Sequence, residues 1–121
     1  QIARAGHLPV LFKRNNEIKM IEPRGLFIGK NADKFFRSYL KQEELKLNEE
    51  DTFLFYTDGI TEIRNSDGEE FGVERLVKLF GDSKLNSTEL IENILKKIEL
   101  FSMNNIQKDD MTLVISKIIE N

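Results

Sequence analysis

The stretch Phe53-Leu-Phe-Tyr-Thr-Asp-Gly-Ile-Thr-Glu62 decides the fold. Large apolar and aromatic residues run straight into Asp58 and Gly59. A continuous apolar run this short reads as a strand covered on both faces. A carboxylate at its end is costly to bury unless a cation or hydrogen bonds compensate it. The same carboxylate on a rigid strand end suits a hard cation. A second run, Met111-Thr-Leu-Val-Ile-Ser116, follows Asp109 and Asp110 and reads as the last strand. If the two strands are neighbours, their aspartates converge although they are far apart in the chain. Asp-Gly is also a common turn pair, and Asp-Asp before a strand is commonly a solvated cap. The residue types alone leave both readings open.

Upstream, Val10–Lys13 and Ile18–Ile21 flank Arg14-Asn15-Asn16-Glu17 and predict a hairpin, because Asn tolerates the positive φ of tight turns. Pro23, Gly25 and Gly29 then break the pattern. Phe35, Phe36, Tyr39 and Leu40 fit a short helix, or a loop entering a strand, and Glu44-Leu-Lys-Leu47 alternates. Asn48 to Asp51 reads as an acidic turn.

Downstream, Asn65 to Gly72 is a turn by its Asn, Asp and Gly content. Val73, Leu76, Val77 and Phe80 then mark one face of a helix over about 72–81, with Gly81 placed to end it. Leu90, Ile91, Ile94, Leu95, Ile98 and Phe101 mark a second helix over about 87–102, with Ser87 as its expected N-cap. Strands, two helices and a strand predict an α+β domain with helices on one face of a mostly antiparallel sheet.

At 121 residues one domain is expected. Hydrophobic residues make up 40% and charged residues 32%, enough to build a core around nine phenylalanines. The 18 basic and 21 acidic residues are mixed, so no basic stripe supports nucleic-acid binding. The absence of cysteine excludes thiolate and disulfide chemistry and fits a reducing, cytoplasmic setting. No apolar run approaches the roughly 20 residues of a membrane span, so no membrane contact by this chain is expected. The chain opens at Gln1 in what reads as a structured element, which predicts a piece of a longer protein.

Gly6-His-Leu-Pro9, Arg24-Gly-Leu-Phe-Ile-Gly29, the block from Leu45 to Leu76 and Lys108-Asp-Asp-Met-Thr-Leu-Val-Ile-Ser116 follow one another in order. Together they resemble the successive motifs of the bacterial SpoIIE/RsbU-like serine phosphatases, members of the PPM (PP2C-like) metal-dependent protein phosphatases. The resemblance implies the C-terminal portion of such a domain over residues 1–121, a partial α-β-β-α sandwich. It implies two Mn²⁺ or Mg²⁺ ions in the complete domain, holding a water that attacks phosphoserine or phosphothreonine directly. Asp58 and Asp109 fall on metal-ligand positions. Gly59, Glu62 and Asp110 fall on supporting positions, and Gly6 and His7 on a structural loop. The implied partner is a phosphorylated STAS-domain anti-anti-sigma factor or a similar signalling phosphoprotein.

The family's proline between Gly25 and Gly29 is absent, and Leu8-Pro9 replaces the common Asn-Pro. The family's N-terminal Gly-Asp block, whose aspartate bridges the ions, has no counterpart in these residues. The chain alone is therefore expected to be inactive. The alternative is a non-catalytic binding module that keeps the phosphatase fold. Arg4, Arg24 and Arg64 could reach phosphate, though each is more commonly a surface charge. The acidic look of Asn65–Glu70 suggests calcium, but it lacks the alternating ligands of an EF-hand.

Overall fold

The structure, a computed structural model, describes residues 1–29, 36–82, 85–103 and 110–119. In chain order the elements are β1 (Ile2–Ala3), β2 (Val10–Arg14), β3 (Glu17–Ile21), α1 (Phe36–Tyr39), β4 (Gln42–Glu43), β5 (Thr52–Tyr56), α2 (Asp58–Thr61), α3 (Gly72–Phe80), α4 (Ser87–Ser102) and β6 (Leu113–Lys117). β3, β2, β5 and β6 form a four-stranded sheet in that order, and β1 pairs with β4. All of these pairings are antiparallel. The expected α+β class is observed.

β5 is central and buried on both faces, as its apolar run requires. Leu54 and Tyr56 point with Leu11 toward the helices, where Ile60, Leu76, Phe80, Leu90, Ile94 and Ile98 close the main core. Phe53 points the other way, into a smaller cluster with Val10, Phe12 and Ile21. Ile2 of β1 and Leu45 pack on that second cluster, so a partial second layer covers the face opposite the helices. Fully burying such a side chain stabilises the fold by about 1.5–3 kcal/mol.

Local chemistry sets the ends of the elements. Asn15 sits at φ 55° between Arg14 and Glu17, so the ladder runs one pair further than expected and the turn is only Asn15-Asn16. The N-cap of α4 is Asn86, not Ser87. The Asn86 side chain accepts from the Thr88 and Glu89 N–H groups at 3.0 Å each, and the Glu89 carboxylate accepts the Asn86 N–H at 2.9 Å. That reciprocal box occupies the groups a helix start leaves unpaired, so Ser87 is the first helical residue. Gly81 follows the last residue of α3, but at φ −69° it uses none of glycine's left-handed freedom. The alternation at Glu44–Leu47 does not make a strand; the pairing lies just before it, at Gln42–Glu43. Phe36–Tyr39 is helical, and Phe35 lies outside the described residues.

Candidate metal centre

The register of β5 and β6 makes the site. Tyr56 pairs with Leu113, so the residues just after β5 meet those just before β6 at one end of the sheet. Thr57 is the junction. Its N–H donates to the Thr112 carbonyl at 3.2 Å, and its Oγ1 accepts the Thr112 N–H at 3.0 Å. The same hydroxyl donates to the Asp110 carbonyl at 3.3 Å. Asp58 and Asp110 are therefore brought to the same end of the sheet, both exposed. Asp109, the other expected ligand, lies outside the described residues.

Asp58-Gly59, a common turn pair, is here the start of a short right-handed helix. Gly59 is buried in that first turn, and its N–H donates to Asp58 Oδ1 at 3.0 Å. Gly59 thus holds the carboxylate as a backbone donor in helical conformation rather than as a turn residue. The Asp58 carbonyl accepts the Glu62 N–H at 2.8 Å and the Thr61 hydroxyl at 3.3 Å. Glu62 is exposed one helical turn beyond Asp58, on the same side.

The strand order brings two further loops to this end. Val10, at the start of β2, pairs with Ile21, at the end of β3. The loop before β2 and the loop after β3 therefore sit beside the end of β5. Arg4 ties them together: it donates to the Pro23 carbonyl at 3.3 Å and the His7 carbonyl at 2.9 Å, and pairs with Glu22 at 3.1 Å. Gly6 has φ +93°, and a Cβ there would lie 2.3 Å from the Phe27 ring. The positive φ favours glycine there, and a Cβ would in addition displace the exposed Phe27 ring. His7 is exposed, with Nδ1 donating to the Leu8 carbonyl at 2.8 Å and the ring edge-on to Phe55 at 6.4 Å.

The arginines considered for phosphate differ. Arg4 is engaged in the loop contacts above. Arg64 bonds the Gly68 carbonyl and pairs with Glu70, bracing the turn. Arg24 is exposed, and its carbonyl accepts the Lys41 N–H at 2.7 Å. Around Asn65 the side-chain oxygen accepts the N–H groups of Asp67 and Glu69, at 3.0 and 2.9 Å. That oxygen closes the turn on itself, which accounts for the local composition without calcium.

The donors at the Asp58 end fit a hard divalent ion in kind, since carboxylate oxygens are the ligands Mg²⁺ and Mn²⁺ prefer. Asp58 is exposed, and one backbone N–H fixes its carboxylate orientation. Among the described residues, no three acidic, His or Cys groups converge closely enough to hold a metal.

An ion pair to a buried carboxylate has no signal in the sequence pattern. Arg14 Nε and Nη2 bond the Asp51 carboxylate at 2.9 and 2.7 Å, and the Asn48 N–H adds a third bond at 2.7 Å. Asp51 is 1% exposed. The Arg14 hydrogen bonds hold its carboxyl below the usual range, against the opposing effect of burial, with the Asn48 N–H and the Arg14 charge adding to them. The pair fastens the far end of β2 to the entry of β5. An Asp immediately before an apolar run names no partner.

Comparison with known proteins gives a family and a fold. The family described as Stage II sporulation protein E (SpoIIE) matches residues 1–119. Protein IcfG of Synechocystis sp. is 28% identical over 111 residues, which is 91% of this chain and 17% of that protein. The SiaA-PP2C domain of Pseudomonas aeruginosa superposes with a TM-score of 0.79 at 19% identity, covering 96% of this chain and 46% of that one. The phosphatase domain of SpoIIE from Bacillus subtilis, in an Mn-presoaked structure, gives 0.68 at 17% identity, covering 98% and 50%. The chain thus spans about half the length of these solved domains and a smaller share of IcfG.

Proposed function

The chain belongs to the SpoIIE family of PP2C-like phosphatase domains, and we propose that it supplies the C-terminal portion of a metal-dependent serine/threonine phosphatase domain. The observation that carries this reading is the Thr57–Thr112 junction, which sets Asp58 beside the segment leading into β6. Asp58 and Asp109 are the proposed ligands, with Gly59, Glu62 and Asp110 in support. Asp58 would hold an Mn²⁺ or Mg²⁺ ion through the carboxylate that the Gly59 N–H orients. When bound, such ions supply a water of lowered pKa and neutralise charge on phosphoryl oxygens. Gly6 and His7 shape the neighbouring loop through backbone contacts.

The proposed substrate is a phosphoserine or phosphothreonine on a cytoplasmic signalling partner, such as a phosphorylated STAS-domain anti-anti-sigma factor. This class of partner is proposed from the resemblance of the sequence motifs alone. No described helix is long and apolar enough to cross a membrane. These residues alone are proposed to be catalytically incomplete, because the bridging aspartate of the family's N-terminal block has no counterpart among them.

The test uses a protein that contains the complete domain. Asp58→Asn and Asp109→Asn should each abolish Mn²⁺-dependent hydrolysis of a phosphoserine protein, because each removes charge from a site where electrostatics supply most of the rate. Near-normal turnover at saturating metal in either variant would remove that residue from the ligand set.

A further inference from the structure

At the end of the sheet away from Asp58, the helix-facing side carries an unusual row. Lys13 pairs with Thr52, and Thr52 pairs with Lys117, so the three side chains lie abreast on β2, β5 and β6. The preceding row on the same face is Leu11, Leu54 and Ile115, which belongs to the main core. The sheet therefore passes from packed hydrocarbon to two ammonium groups within one side-chain repeat. Thr52 between them is buried.

The helices do not close over this row. A cleft of about 420 Å³, open to solvent on one side, lies there, bounded by Asn86 and Leu90 of the α4 start, by Glu50 and by the lysine row. That volume falls in the range of small-molecule sites. The α4 cap does not provide the charge, because Asn86 already occupies the Thr88 and Glu89 N–H groups. The charge comes from the lysines. Lys13 Nζ donates to the Phe80 carbonyl at 3.1 Å and lies 5.1 Å from the centre of the Phe80 ring. An ammonium has three donors, so this contact leaves capacity for an anion. Lys117 pairs with Glu50 at 2.6 Å, and the Glu50 carboxylate is the more exposed partner.

We propose that this cleft binds a small molecule bearing two phosphate or carboxylate groups, held between Lys13 and Lys117. Two strand spacings separate the lysines, about 10 Å between backbones, a span that two linked anionic groups can bridge. Burial lowers the Lys13 pKa; Asp82 opposes this, and Lys117 adds to it. An anion between the lysines would relieve their mutual repulsion and compensate the desolvation. Glu50 acts as a tethered competitor for Lys117.

The test is an NMR titration of a protein that contains the complete domain, in metal-free buffer, with pyrophosphate in one arm and citrate in the other. Saturable shifts should centre on Lys13, Thr52, Asn86–Leu90 and Lys117, and the stronger arm identifies the ligand class. Lys117→Met should weaken binding about tenfold, the loss expected for one charge-assisted hydrogen bond. Glu50→Gln should strengthen it, and Lys78→Met, an exposed helix lysine, should not change it. Lys117 is used because it is less buried than Lys13 and its loss threatens the fold less. Kd above about 1 mM for both ligands, shifts spread evenly over surface lysines, or affinity unchanged in Lys117→Met would each overturn the proposal.

Discussion

Thr57 and Thr112 bond to each other twice, once between backbones at 3.2 Å and once through the Thr57 hydroxyl at 3.0 Å. That hydroxyl also donates to the Asp110 carbonyl. One side chain thus continues the strand pairing past its last regular pair and carries the chain before β6 to the start of α2. Thr57→Val keeps the shape and removes both hydroxyl bonds. It should cost about 1 kcal/mol of stability and weaken Mn²⁺ binding at Asp58 by more than that loss of stability explains. Denaturant unfolding and metal titration of the same variant measure the two effects separately.

The Arg14–Asp51 pair gives a pH signature. Asp51 has a folded pKa below its unfolded value. Its stabilisation is complete above the unfolded carboxylate value of about 4, and it is lost as pH falls through the lower folded value. Unfolding free energy should therefore drop on acidification, with a smaller drop in Asp51→Asn. At neutral pH that variant should be less stable by about 2 kcal/mol, since a buried acceptor of charge-assisted bonds is weakened. Equal acid sensitivity in the two proteins would show that other carboxylates govern the transition.

Asn86→Ala removes the α4 cap and should destabilise the fold by about 1 kcal/mol. Ser87→Ala should cost less, because Ser87 is inside the helix. Thermal unfolding of the two variants side by side checks the assignment, and the reverse order would return the cap to Ser87.

Much of this was legible from pattern. The Phe53–Tyr56 run announced a strand buried on both faces, and the 3.6-residue repeats placed α3 and α4 nearly at their observed limits. Asn86 and Ser87 are both good caps by residue type, and only the Glu89 contact back to the Asn86 N–H separates them. Asp58 and Gly59 begin a helical turn in which Asp58 Oδ1 accepts the Gly59 N–H, an arrangement that an Asp-Gly pair does not specify. The Arg14–Asp51 pair had no local signature, since strand register rather than sequence proximity joins the two residues. The convergence of Asp58 with the segment before β6 was legible only conditionally, on those strands being neighbours, and the Tyr56–Leu113 register meets that condition.

A divalent ion held at the Asp58 end of the sheet would be visible without any assay of activity. The most direct measurement is paramagnetic broadening of backbone amide signals as Mn²⁺ is added to the 121-residue chain, which reports position even when binding is weak. Thr57, Asp58, Gly59, Asp110, Met111 and Thr112 should broaden first, and Asp58→Asn should abolish the effect. First broadening at the Asn65–Glu70 turn, with the Asp58 end unaffected, would contradict that placement.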